Sequence, residues 1–197
     1  MSRIISGLAG GLRLANVPGD KTRPTTDRVK EALFSRLESY NMLADVRVLD
    51  LFAGSGALGC EALSRGAAHV DFVDHYPKAI AVIEKNARAL AQSATSTGLR
   101  ASTSRIHRMQ AKTYLSSYSG APWDLVFIDP PYSVTNAELE ELLELLSDYL
   151  AQGAVVVVER TTRTGEPSWG TGLERFAEKK YGETQLFYAE PVLSTSA

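Results

Sequence analysis

The stretch Asp50-Leu51-Phe52-Ala53-Gly54-Ser55-Gly56-Ala57-Leu58-Gly59 decides the fold, because an apolar run over Val46–Leu51 enters a glycine-rich turn and leaves it as the helical pattern Ala57–Ser64. A strand, a glycine turn and a helix in that order bring backbone close to a ligand. Working outward, the same pairing recurs. Strand-like runs at Val70–Asp74, Leu125–Asp129 and Ala154–Glu159 alternate with helical patterns at Pro77–Leu90 and Asn136–Leu150. Such alternation predicts an α/β fold with a mostly parallel sheet and covering helices. Ile80, Ile83, Ala87 and Leu90 share one face of the second helix, and Leu139, Leu142, Leu143 and Leu146 share one face of the third. These stripes are core-facing scaffold. Phe176–Tyr181, the turn Gly182-Glu183 and Thr184–Ala189 read as an antiparallel hairpin closing the sheet.

At 197 residues the chain suits one domain, 1–197, with a small basic extension over 1–24 ahead of a core over 25–191. No apolar run approaches the roughly 20 residues that cross a bilayer. The opening residues lack a secretory signal, and the single Cys60 has no internal disulfide partner, so a cytoplasmic setting and no membrane partner are expected. His69, His75 and His107 form no ligand spacing with Cys60, and no metal is expected. Gln92–Ser104, rich in Ser, Thr and Ala, reads as a weakly ordered surface connection. A net charge of −2 conceals an asymmetry: residues 1–36 carry a net +4 and the remainder −6. A basic segment beside an acidic body can hold phosphates without making the whole chain basic.

The glycine turn matches a dinucleotide fingerprint, but Asp50 argues against a pyrophosphate there and for a ligand with a cationic amino-acid moiety. Asp74, ending the next strand, is placed to accept hydrogen bonds from ribose hydroxyls. Gln110-Ala111 follows the third strand, where an adenine edge would be read. The candidate cofactor residues are therefore Asp50, Phe52, Ala53, Gly54, Ser55, Gly56, Asp74, His75, Gln110, Ala111 and Asp129.

Trp123-Asp124-Leu125-Val126-Phe127-Ile128-Asp129-Pro130-Pro131-Tyr132 is a buried strand ending in a rigid turn. An exocyclic base amine has its lone pair delocalised into the ring and attacks poorly until acceptors hold its protons. Asp129 and the Pro130 carbonyl can be those acceptors, the prolines preorganise them, and Tyr132 can stack on the base. Asp129, Pro130, Pro131 and Tyr132 are thus the candidate catalytic residues. With the glycine turn upstream, this motif disfavours a dehydrogenase and points to methyl transfer from S-adenosyl-L-methionine.

Arg3-Ile4-Ile5-Ser6-Gly7, Arg23-Pro24-Thr25-Thr26-Asp27-Arg28-Val29-Lys30-Glu31-Ala32-Leu33-Phe34 and Glu61-Ala62-Leu63-Ser64-Arg65-Gly66-Ala67, together with the glycine turn and Asp129–Tyr132, resemble the bacterial 16S ribosomal RNA guanine-N2 methyltransferase family. The similarity covers nearly the whole chain. It implies a Rossmann-like class I methyltransferase with a seven-stranded sheet, an antiparallel last strand and an N-terminal β-hairpin extension. It also implies S-adenosyl-L-methionine as cofactor and a guanine N2 in 16S rRNA of the small subunit, or a late assembly intermediate, as target. The RNA-facing residues would be Arg3, Arg13, Arg23, Thr25, Thr26 and Arg28, with Asp27 capping a helix that begins near Arg28; a monomer is expected. Gln110 stands where the resemblance leads to a shorter Asn or Asp. On residue chemistry alone three other readings stay open: an adenine-N6 nucleic-acid methyltransferase, a glutamine-N5 protein methyltransferase, and an RNA-binding assembly factor with a vestigial cofactor site.

Overall fold

The computed structural model describes residues 2–19, 26–95 and 102–192. Its elements are β1 (Ser2–Arg3), β2 (Arg13–Leu14), α1 (Asp27–Ser39), β3 (Arg47–Asp50), α2 (Ala57–Ser64), β4 (His69–Asp74), α3 (Pro77–Thr95), β5 (Thr103–Arg108), α4 (Ala111–Ser117), β6 (Trp123–Ile128), α5 (Asn136–Ser147), β7 (Leu150–Thr161), β8 (Leu173–Tyr181) and β9 (Thr184–Pro191). Seven strands form one sheet in the order β5-β4-β3-β6-β7-β9-β8, and β1 and β2 form a separate antiparallel hairpin. β9 runs antiparallel to both neighbours, β7 and β8, while the pairings from β5 to β7 are parallel. A bulge between Arg175 and Ala177 interrupts the outermost pair. No helix among the described residues is long and apolar enough to cross a membrane.

Both faces of the sheet are covered, which is why its central strands are nearly continuous runs of Val, Leu, Ile and Phe rather than alternating patterns. On one face Leu33, Phe34 and Leu37 of α1 pack with Phe127, Val157 and Leu186 in a single cluster, the Phe34 and Phe127 rings 5.6 Å apart. On the other face Leu139, Leu142, Leu143 and Leu146 of α5 pack with Val126, Ile128, Val156 and Val158. A polar knot stands further along that second face. His107 Nε2 lies 2.9 Å from Asp71 Oδ1 and Trp123 Nε1 donates to Asp71 Oδ2 at 3.2 Å. Burial pushes the Asp71 carboxyl up, but these hydrogen bonds outweigh it and hold the group below its ordinary value.

Two local expectations are corrected. The α1 cap is Thr26, whose side chain accepts from the Val29 N–H; Asp27 is the first helical residue and reaches instead to Arg3. A hydroxyl one position earlier satisfies the free N–H, leaving the carboxylate to favour the helix start by charge. The Gln92–Ser104 stretch is also regular at its two ends. α3 continues to Thr95 and β5 begins at Thr103, since Ala-rich sequence sustains a helix without an apolar stripe. Residues 96–101 lie outside the described residues.

The N-terminal hairpin is fastened to the core by a buried charge pair. Glu61 of α2, fully buried, accepts from Ile5 N at 2.7 Å, Ser6 N at 3.1 Å and Arg65 Nε at 2.8 Å. Lys30 of α1, equally buried, lies 3.6 Å from Glu61 and donates to the Arg3 carbonyl. Burial pushes the Lys30 ammonium below its ordinary value, with Glu61 and Asp27 opposing that effect. Ser64 completes the joint, accepting from Ala9 N at 3.0 Å and donating to the Ser6 carbonyl at 2.7 Å.

Candidate active site

The chain lays down β3 in the middle of the sheet, moves outward through β4 and β5, then returns to place β6 on the other side of β3. The gap between the β3 and β6 ends is therefore the switch point where open α/β sheets bind ligands. The glycine turn leaves β3 there and Asp129-Pro130-Pro131-Tyr132 leaves β6 there, joined by a hydrogen bond from Leu51 N to the Phe127 carbonyl at 3.0 Å.

The turn is shaped by its glycines in two distinct ways. Gly56 caps α2 with φ at +73°, a conformation that side chains oppose. A Cβ on Gly59 would stand 2.3 Å from the Phe72 ring, so this glycine lets the helix lie against β4. Asp50 lies beneath the turn, buried, its Oδ2 accepting from the Gly59 N–H at 3.0 Å in the first turn of α2. Asp74 Oδ2 accepts from Gly54 N at 2.9 Å and its Oδ1 from Tyr76 N at 2.8 Å. Burial raises the Asp50 carboxyl from 3.8 to about 7; the Gly59 hydrogen bond opposes the rise and the Asp74 charge adds to it. Two carboxylates that repel each other thus frame a turn whose Gly54 faces open space. That pair of acidic acceptors fits a cationic nucleoside and opposes a pyrophosphate.

The raised Asp50 value sets a pH dependence. The folded state retains a proton that the unfolded chain releases near pH 4, so this group's stability contribution is complete below pH 4 and is lost as pH rises to about 7. Asp50→Asn removes that component: the difference in melting temperature between variant and parent protein, followed by calorimetry without cofactor, should widen in the variant's favour from pH 4 to 7. A flat difference would contradict the buried placement.

The other candidate residues fall as follows. Phe52, Ser55 and Ala53 lie in the turn, with Ala53 N bonded to the Val73 carbonyl. His75 is exposed beside Asp74. Gln110 is the exposed N-cap residue of α4 and Ala111 begins that helix, on the same sheet edge as Asp74, whose carbonyl accepts from Met109 N. Pro130 is buried, Asp129 and Pro131 are exposed, and Tyr132 stands 73% exposed, an unusual outlay of aromatic surface. Arg3 and Arg13 face each other across the hairpin and both are exposed. Like charges directly opposite are unfavourable in a strand pair and an anion relieves them; Asp27 does so in part, 3.1 Å from Arg3 Nε. Arg28 is exposed on α1. Arg23 and Thr25 lie outside the described residues.

Three residues escaped the sequence reading of the site. Arg160, 5% exposed, donates from Nη2 to the Val134 carbonyl at 2.9 Å and to Asn136 Oδ1 at 3.0 Å, gripping the segment that follows Tyr132. Burial pushes its guanidinium below the ordinary value while Asp129 opposes that shift by charge. Glu159 precedes it in β7. A Glu-Arg pair closing a run of four valines was the available signal. Asn86 of α3, buried, donates from Nδ2 to the Ser55 carbonyl at 2.8 Å and to the Ala15 carbonyl at 3.0 Å, tying the glycine turn to the N-terminal segment. Its position three residues after Ile83, on the apolar stripe, marked it.

The model of the family described as Conserved hypothetical protein 95 matches residues 2–190 of this chain. The chain belongs to that family. Among its relatives, ribosomal RNA small subunit methyltransferase D of Escherichia coli (strain K12) is 36% identical over 183 residues, covering 92% of this chain and 85% of the relative. The Bacillus subtilis (strain 168) protein YlbH is 37% identical over 184 residues, covering 92% and 95%. The solved Escherichia coli protein yhhF superposes with a TM-score of 0.80 at 34% identity, covering 96% of this chain and 97% of that one. Family membership upholds the resemblance carried by the Arg-Pro-Thr-Thr-Asp-Arg segment and the glycine turn, and the Rossmann-like sheet with its antiparallel last strand agrees with it.

Proposed function

We propose that this chain transfers a methyl group from S-adenosyl-L-methionine to the N2 amine of a guanine in small-subunit ribosomal RNA. One observation carries the reading: the acidic glycine turn and the Asp129-Pro130-Pro131-Tyr132 turn meet at the switch point, in a chain whose curated relative is a small-subunit rRNA methyltransferase. Bound there, the cofactor supplies an electrophilic methyl on a sulfonium. Asp50 and Asp74 favour its positive charges and hydroxyls, and Gly54 leaves room for close approach.

Asp129 and the Pro130 carbonyl accept the protons of the amine, which frees its lone pair for in-line attack, and Tyr132 stacks on the base. Arg160 holds the turn in place from below. The exposed Arg3, Arg13 and Arg28, with the basic segment 1–36, supply phosphate contacts that weaken as salt rises. The names of the relatives favour ribosomal RNA over DNA or protein as substrate.

Labelled methyl transfer to small subunits from cells lacking this activity, followed by nucleoside digestion and chromatography, tests the reading. N2-methylguanosine is the expected product; label in N6-methyladenosine or in protein would refute it.

Arg160→Met removes the donor that holds Val134 and Asn136. A displacement of about 1 Å in a positioned group costs on the order of 10²-fold, so single-turnover transfer should fall by roughly 10- to 100-fold with cofactor affinity little changed. Arg160→Lys should recover part of it.

A further inference from the structure

A single buried amide joins the N-terminal extension to the glycine turn. Asn86 of α3 is 2% exposed; its Oδ1 accepts from Ala15 N at 2.8 Å, while Nδ2 donates to the Ala15 carbonyl at 3.0 Å and to the Ser55 carbonyl at 2.8 Å. One acceptor and two donors thus meet one N–H and two carbonyls, and the opposite amide orientation would set oxygen against both carbonyls. Ala15 follows β2, two residues beyond the exposed Arg13, and Val17 packs on Ala79 and Val82 at the start of α3. Ser55 stands between Gly54 and Gly56, whose φ angles are +55° and +73°. Glycine on either side gives the Ser55 peptide wide freedom, and the Asn86 bond fixes where its carbonyl points. Glu61 and Ser64 anchor Ile5, Ser6 and Ala9 on α2 itself, whereas the Asn86 bonds reach the backbone of the turn.

An amide shared in this way transmits order in both directions. A cofactor seated on the glycine turn restricts the Ser55 carbonyl, which holds the Asn86 amide in the orientation that binds Ala15. Phosphates on Arg13 restrict the same connection from its other end. We propose that Asn86 is a positioning residue that couples the two substrates, so that cofactor tightens RNA binding and RNA tightens cofactor binding by the same factor, as linkage requires. This inference rests on the methyl-transfer reading above and adds that the cofactor-loaded protein engages RNA more tightly than the empty one.

Sinefungin, an unreactive analogue with a carbon-bound amine in place of the methyl sulfonium, allows the coupling to be measured without turnover. The Kd for small subunits from cells lacking this activity is measured with and without saturating sinefungin, and the Kd for sinefungin with and without saturating subunits. The proteins compared are the parent, Asn86→Ala and Ala15→Pro. Proline at position 15 removes the N–H donor without touching α3 or the turn, and Leu14 before it is already in a strand, which suits a residue preceding proline. The parent should show equal tightening in both directions, within the roughly 5- to 150-fold range of coupled sites. Asn86→Ala should bring both ratios to within about twofold of unity, and Ala15→Pro should lower them with sinefungin affinity for the protein alone within about threefold of the parent's. Sinefungin should also slow amide hydrogen exchange at Ala15 in the parent and leave it unchanged in Asn86→Ala. If Asn86→Ala does not fold, Ala15→Pro decides alone. A role in stability only would lower the melting temperature and the separate affinities but leave the ratio at the parent's value; that result, or a parent ratio near one with both ligands bound, would overturn the proposal. Failure of the parent protein to bind sinefungin or small subunits at all would instead overturn the methyl-transfer reading, and this inference with it.

Discussion

Asp129→Ala should lower methyl transfer by roughly 10²- to 10⁴-fold, the range for removing a positioned proton acceptor or a preorganised polar group. The expected loss is in kcat, because the proposed role of Asp129 is to meet the amine where charge develops, while the proposed cofactor carboxylates, Asp50 and Asp74, end β3 and β4. Cofactor affinity by calorimetry should therefore change only several-fold. The fold should survive: Asp129 is exposed, and Arg160 keeps its bonds to Val134 and Asn136 without it. Asp129→Asn separates acceptor from charge, since its amide oxygen still accepts a proton, and should retain more activity than alanine. If the alanine variant keeps most of its turnover with cofactor bound normally, the amine is held by something else.

The largest stability effect should come from Glu61→Gln. The parent carboxylate satisfies Ile5 N, Ser6 N and Arg65 Nε and faces the Lys30 ammonium, with both side chains almost wholly inaccessible. Removing one partner of a buried ion pair leaves an uncompensated charge and costs about 3–5 kcal/mol. For a chain of this size that is a melting-temperature loss of roughly 6–20 °C. Replacing both partners, as in Lys30→Met with Glu61→Met, should recover part of the loss, although Ile5 and Ser6 still lack an acceptor. A single-variant loss under about 1 kcal/mol would show that the pair does not fasten the hairpin.

Much of this architecture was legible because it is local. Val46–Leu51, the glycine turn and Ala57–Ser64 state a strand, a turn and a helix within twenty residues, and Asp129–Tyr132 is rigid through its own prolines. What escaped is non-local. Arg160 acts on residues 24 and 26 positions before it, and Asn86 on residues 31 and 71 before it, so only the folded chain shows what either touches. The α1 cap failed for a different reason: Thr26 and Asp27 are both good caps, and the choice between them depends on Asp27 having Arg3 to pair with.

The outer strands carry one more consequence. A sheet that does not close into a barrel exposes two rows of unpaired backbone groups, and an apolar border of that kind recruits further strands into aggregates. Here one border, β5, runs Thr-Ser-Arg-Ile-His-Arg, and the other, β8, places Glu174, Arg175, Glu178, Lys179 and Lys180 outward and is bent by the bulge after Arg175. Docking another chain on either border would desolvate those charges, and on β8 it would also meet a kinked strand. The chain thus presents a wide, Val-rich sheet whose borders disfavour strand addition, and the substitutions to watch for insolubility are apolar ones along 174–180.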